Sequence, residues 1–175
     1  MKYPSLKLQL LNFAMIFGSI VLCVLLMGLR LPGTELAGIR PNWLLIWLVS
    51  WCLHGGIWNG LFAGLAVGWI QEAMTGNDPA VVVSFVVVGV LTALFRKQRF
   101  LREDFITIAL IVFGMTLISE TVIALQQSLF PFRAKEDLWL DYQRIALTSA
   151  IISSLWAPVL NYPLQRWFAA AKGEQ

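Results

Sequence analysis

The chain has 175 residues, 58% of them hydrophobic and 13% charged, with a formal net charge of +3. Soluble domains carry about 25% charge, and a chain of this size has too little interior to hide so much apolar surface from water. That excludes an ordinary soluble globule and makes a bilayer the expected solvent. The lack of a basic stripe with interleaved aromatics also sets nucleic acid aside as a partner.

Lys2 and Lys7 precede an apolar run from Leu8 to Leu29, interrupted by Gln9 and Asn12. The run is long enough to cross a hydrocarbon core of about 30 Å. A secretory signal has a shorter apolar centre and a small-residue cleavage site, so this segment is expected to remain as an anchor. Arg30 and Pro32 end it. The link Gly33 to Arg40 leads to Pro41, suited to a first helical turn, where a missing donor costs nothing. Asn42 to Leu53 alone is too short to cross, so a tilted or partly interfacial second span is expected over 37–53. A re-entrant segment is the alternative, but it would leave the most basic loop outside, against the positive-inside rule. Trp43, Trp47 and Trp51 form an i+4 ridge, with Trp43 placed for the membrane surface. That ridge faces either lipid or another protein.

The third span, 57–74, is expected to be the central packing helix. Gly56, Gly60, Gly64 and Gly68 recur every fourth residue, and the same register then places Glu72 and Gly76. Positions four apart share an inclined ridge, so four missing side chains make a groove in which a neighbouring backbone can lie close. Thr75 to Pro79 is dense in turn formers. The valine-rich stretch 80–95 would suggest a strand in a soluble protein, but lone strands cannot exist in lipid, so a fourth helix with Gly89 as a packing notch is expected.

Arg96, Lys97, Arg99 and Arg102 mark a cytoplasmic loop. The fifth span, 105–126, carries Glu120. The polar connection 127–144 is expected to lie partly on the membrane surface through Leu138, Trp139, Leu140 and Tyr142. The sixth span, 145–164, holds Pro158 and Pro163 around Asn161. Six spans with the amino terminus inside put both termini in the cytoplasm. Lys2, Lys7, the four loop residues, Arg166 and Lys172 then lie inside, against Arg30, Arg40, Arg133, Lys135 and Arg144 outside. The expected fold is therefore all-α, a single transmembrane domain of six helices over residues 1–175.

Glu72 and Glu120 are the acids in apolar surroundings, both expected in the outer half of the membrane. Lipid penalises their ionised forms, so each calls for a donor nearby, with Arg30, Arg40, Asn161 or an indole as candidates. Two readings stand side by side: a proton or cation relay in an outward pocket, or hydrogen-bonded glue between helices. No catalytic constellation is legible. His54 has no nucleophile or acid spaced as a partner, and no Walker or H-E-x-x-H motif occurs. Cys23 and Cys52 sit alone in apolar runs, which makes a zinc site improbable. Glu136, Asp137 and Asp141 are neutralised by Arg133, Lys135 and Arg144, as in a solvated surface segment. No enzyme activity, cofactor or metal is expected.

Arg40-Pro41 with WLLIWLVSW, then Gly60, Gly64 and Gly68 leading to Gln71-Glu72 and Thr75-Gly76, resembles the MreD family of the bacterial rod-shape machinery. Pro158 and Asn161-Tyr162-Pro163-Leu164 resemble the family's last span. The family usually has aspartate at the position of Glu72, and a glycine-bearing sequence where this chain has Asn77-Asp78-Pro79-Ala80. The resemblance implies a non-enzymatic scaffold of the bacterial inner membrane. It would bind MreC, a single-span protein with a periplasmic domain, alongside the MreB filament and the elongation synthase and transpeptidase, and support lateral peptidoglycan synthesis and rod cell shape. The architecture is also similar to the membrane-embedded substrate-binding subunits of energy-coupling-factor vitamin transporters. That similarity implies the alternative function, binding a small molecule in an outward pocket formed by Glu72, Asn77, Glu120 and Trp139.

Overall fold

WLLIWLVSWC has no polar face, and a helix that is apolar all round belongs in an interior. In the computed structural model, which describes residues 6–29, 38–53, 55–76, 80–96, 105–129 and 135–173, that segment is at the centre. The elements are α1 (Leu6–Gly28), α2 (Trp43–Cys52), α3 (Ile57–Thr75), α4 (Val81–Arg96), α5 (Phe105–Leu129) and α6 (Lys135–Gly173), with no strand among the described residues. The chain is all-α. Each of the other five helices packs on α2, and Leu44, Leu45, Ile46, Leu48 and Val49 are fully buried.

This corrects the expectation that α3 is the central helix. The glycine-bearing helix pairs most closely with α4, while α5 pairs with α6 and α4 joins the two hairpins. The reason is steric. Large side chains on α2 fill the volume between five neighbours, whereas glycine leaves nothing to fill a centre and serves a pairwise approach instead.

The α3–α4 hairpin is held backbone to backbone. A Cβ on Gly64 would lie 2.6 Å from the Phe85 carbonyl oxygen, and one on Gly68 2.8 Å from Val82 Cα. Gly60 and Gly89 face each other so closely that a Cβ on either would run into the other's carbonyl. Gly56 is different: it caps the start of α3 with open space around it. The ridge therefore consists of Gly60, Gly64 and Gly68, with Gly89 answering from α4.

Asn42 starts α2. Its Oδ1 accepts from the Leu45 N–H at 3.1 Å, and its own N–H donates to Ser153 Oγ on α6 at 3.2 Å. Pro41 thus precedes the cap instead of occupying the first turn. The hydroxyls of Thr92 and Thr116 bond back to the carbonyls of Val88 and Val112, and Ser119 donates to Ser84 across α4 and α5 at 3.2 Å. These bonds satisfy polar atoms in a dry interior.

Two helical stretches are long and apolar enough to cross a membrane, Phe105–Leu129 and Tyr142–Leu164. They are not core helices, since only 28% and 39% of their apolar windows are buried. The ten residues of α2 rise about 15 Å, half a hydrocarbon core, so α2 does not cross by itself as the expected 37–53 span would. The connection expected to run to residue 144 is shorter. Helix α6 begins at Lys135 and continues through Pro158 and Pro163, so one helix includes both residues 135–144 and the last apolar stretch. The basic loop beyond Arg96 lies outside the described residues.

Candidate functional site

Five segments converge: the last turn of α1, the approach to α2, the later parts of α3 and α5, and the first half of α6. Between them is a cavity of about 330 Å³ lined by Met27, Arg40, Asn42, Gln71, Glu120 and Ser149, among others. Its polar lining contrasts with the surrounding apolar helices. Glu120, half-buried on α5, lines the cavity together with Ser149 of α6. Arg40 Nη1 donates to the Met27 carbonyl at 3.3 Å, which ties the approach of α2 to the end of α1. Gln71 is only 6% exposed, and its Oε1 has no hydrogen-bond partner.

The two acids singled out from the sequence part company here. Glu120 enters the cavity. Glu72 is turned away, where its Oε2 accepts from the Val82 N–H at 3.4 Å, across the turn at Gly76. Val82 is in the first turn of α4, whose N–H groups lack helical partners, and a carboxylate there also complements the helix dipole. Gly76 itself has φ +90°, a backbone conformation that disfavours side chains. Gln71, one residue before Glu72, takes the cavity position.

Asn161 is buried (1% exposed), with its Oδ1 unpartnered, but it is twelve residues beyond Ser149 on α6, about 18 Å along the axis. It does not join Glu120. Asn77, the Trp139 side chain, Arg30 and His54 lie outside the described residues.

The tryptophan ridge is largely internal, which overturns the idea of an exposed docking ridge on α2. Trp43 meets Trp156 edge-on at 5.4 Å, and Trp47 stacks on Trp51 at 5.5 Å. Trp47 Nε1 donates to Ser19 Oγ on α1 at 2.9 Å. Trp43 and Trp47 are 4% and 2% exposed; Trp51 is half-buried. Indole is large and apolar with one polar edge, so a five-sided interior that offers Ser19 to that edge is a favourable place for it. Trp47 and Trp51 also border a second, apolar cavity of about 280 Å³ with Ser19, Leu160 and Pro163.

Sequence reasoning named Arg40 and Glu120 as possible partners, and the structure lines one cavity with both. It missed Gln71, Asn42 and Ser149. Gln71 had a legible signal, an amide within an apolar helix beside an acid. Asn42 and Ser149 had none, since both residue types are ordinary at caps and helix contacts. Among the described residues no group of three or more His, Cys, Asp or Glu gathers to hold a metal, and Cys23 and Cys52 are buried free thiols. Comparison with family models, curated proteins and solved structures finds no match to this chain.

Proposed function

We propose that the chain is a non-enzymatic scaffold embedded in the bacterial inner membrane, with six membrane-embedded helices and both termini in the cytoplasm. Through the likeness to the MreD family, its role is to bind MreC and support lateral peptidoglycan synthesis and rod shape. The observation that carries the membrane reading is the outward face of the bundle. Phe17 and Leu25 on α1, Trp58, Phe62 and Trp69 on α3, Ile106 and Leu110 on α5, and Leu155 and Val159 on α6 are all exposed. Soluble proteins do not surround themselves with so continuous an apolar surface. Helix α2 is too short to cross, but its neighbours screen it from lipid, which is the condition under which a short segment is tolerated at membrane depth.

The partner face follows from what is left over. With Trp43 and Trp47 engaged internally, the aromatic ridge open to another helix is Trp58, Phe62 and Trp69 on α3, opposite its glycine face. Purification of the tagged full chain from its own membranes in gentle detergent, with mass spectrometry of what co-purifies, tests the assignment. Recovery of MreC and the elongation machinery, reduced by the double variant Trp58→Ala/Phe62→Ala, supports the scaffold and its face. A folded wild-type chain that never recovers MreC overturns it.

The cavity around Glu120 favours a second reading, a small-molecule-binding subunit similar to those of energy-coupling-factor transporters. Mixed polar groups converging in a concave site are what such a subunit needs. Recovery of paired ATPases and a coupling subunit in the same experiment would select it.

A further inference from the structure

The apolar cavity of about 280 Å³ is lined by three helices: Met15, Gly18 and Leu22 of α1, Trp47 of α2, and Leu160 and Leu164 of α6. Met15 and Leu22 are also exposed, so the cavity opens on the apolar outer face of the bundle. Its lining asks for no polar guest. Ser19 Oγ accepts from Trp47 Nε1 at 2.9 Å and donates to the Ile16 carbonyl at 2.8 Å, so the hydroxyl in the wall is engaged within the protein. A polar guest would give up water and gain no partner there. Size narrows the choice further. Three turns of a helix about 10 Å across displace more than ~1,000 Å³, so a neighbouring helix cannot enter, whereas a single hydrocarbon chain is slim enough.

Gly18 explains how the space is kept. A Cβ there would meet nothing within 4 Å, unlike one on Gly60, Gly64 or Gly68, which would run into α4. The missing side chain at Gly18 therefore serves no close helix approach; it leaves the slot open. Charge indicates which way a guest lies. Met27 and Ser149 share the Glu120 cavity, so the late part of α1 meets the early part of α6, and the start of α1 and the end of α6 share the other end. That end is cationic. Helix α1 carries Lys7 in its first turn, about 12 Å before Met15, and α6 carries Arg166 just past Leu164 and Lys172 in its last turn. Arg166 is turned over the Tyr162 ring at 5.3 Å, a contact that leaves its charge unneutralised.

We propose that this slot holds one acyl chain of an anionic phospholipid, its phosphate drawn to the cations that start α1 and end α6. Half a hydrocarbon core is about 15 Å deep, enough for a tail whose head group is level with Lys7 to reach Met15. The inference rests on the membrane part of the reading above and is independent of MreC.

The full chain in phosphatidylcholine vesicles provides the test. The vesicles carry a trace of phosphatidylglycerol or phosphatidylcholine with a diazirine midway along one acyl chain, and the adducts formed on irradiation are mapped by mass spectrometry. Phosphatidylglycerol adducts are expected to concentrate on residues 15–22 and 160–164. Their excess over the phosphatidylcholine probe should be about fivefold or more, the effect of one basic residue near the membrane surface. Gly18→Leu fills the slot and should remove most of these adducts with the melting temperature maintained. Gly114→Leu, the same change at an open position of α5 outside the cavity, should leave them unchanged. Lys7→Gln and Arg166→Gln should lower the preference for phosphatidylglycerol without moving the tail. Adducts spread evenly over exposed residues such as Phe62, Ile106 and Leu155 overturn the site but keep the membrane reading; no adducts at all overturn both. Equal labelling by the two probes overturns the anionic head group. Full labelling of folded Gly18→Leu overturns the slot, and loss of MreC recovery in that same variant would then assign the space to a partner's side chains.

Discussion

At Gly64 two backbones leave no room for a side chain. Its virtual Cβ lies 2.6 Å from the Phe85 carbonyl and 2.9 Å from Val86 Cα, both main-chain atoms that cannot rotate aside. Gly64→Ala is therefore expected to force α3 and α4 apart and cost about 1–3 kcal/mol, the range for overpacking a tight interior. Gly56→Ala, with open space around it, should be near neutral. Thermal unfolding of the two variants in one detergent checks the contrast, and equal melting would remove the close-approach argument. Trp47 permits a finer test. Trp47→Phe keeps most of the ring but loses the donor to Ser19 Oγ, whose hydroxyl still bonds the Ile16 carbonyl at 2.8 Å. The expected loss is about 0.5–1.5 kcal/mol, one net hydrogen bond. A loss several times larger would mean that packing, not the indole N–H, matters at that position.

At the scale of elements, the short helix α2 depends on how it is started. Asn42 satisfies one of its first N–H groups and anchors the entry to Ser153 of α6. Ten residues are too few to be a stable helix in isolation, so its order comes from neighbours and cap together. Asn42→Ala should cost about 1 kcal/mol, the usual value of an N-cap. Asn42→Asp should retain most of that stability, since a carboxylate caps equally well and favours the helix dipole. Hydrogen exchange at Trp43 to Ile46 measures this directly: faster exchange in the alanine variant, near-native exchange in the aspartate one. Glu72 has the corresponding role between α3 and α4, which is why an acid near an apolar helix end need not belong to a pore.

At the scale of the whole molecule, the arrangement of ends makes a topology prediction. Met27, Gln71 and Glu120 come from the later parts of α1, α3 and α5, and Ser149 from the early part of α6, yet all line one cavity. Under the proposed topology, with alternating crossings and the amino terminus inside, that cavity is on the outer side. Leu29→Cys, exposed at the end of α1, should react with a membrane-impermeant maleimide in intact cells with an opened outer barrier. Phe95→Cys, exposed near the end of α4, should react only after lysis. Cys23 and Cys52 are both buried and should give little background. Labelling of Phe95→Cys from outside would reverse the topology.

Much of this was legible in one dimension because some patterns have only one physical solution. An all-apolar chain with few charges must be helical in lipid, so the helical character of the valine-rich α4 followed from the cost of unpaired backbone groups. Gly60, Gly64 and Gly68 announced a close helix contact because nothing else needs glycine at that spacing, and Arg40 and Glu120 stood out as charges where charge is expensive. Other features depend on which surfaces meet. Periodicity says that a ridge exists but not what it faces, so only packing decided that Trp43 and Trp47 turn inward, that α2 and not α3 is central, and that Glu72 caps α4 while Gln71 takes the cavity wall. The sequence by itself determined the helical class of the fold and the residues too polar to be idle. The tertiary structure decided their partners, because those partners come from segments as much as 111 residues apart that only the folded bundle brings together.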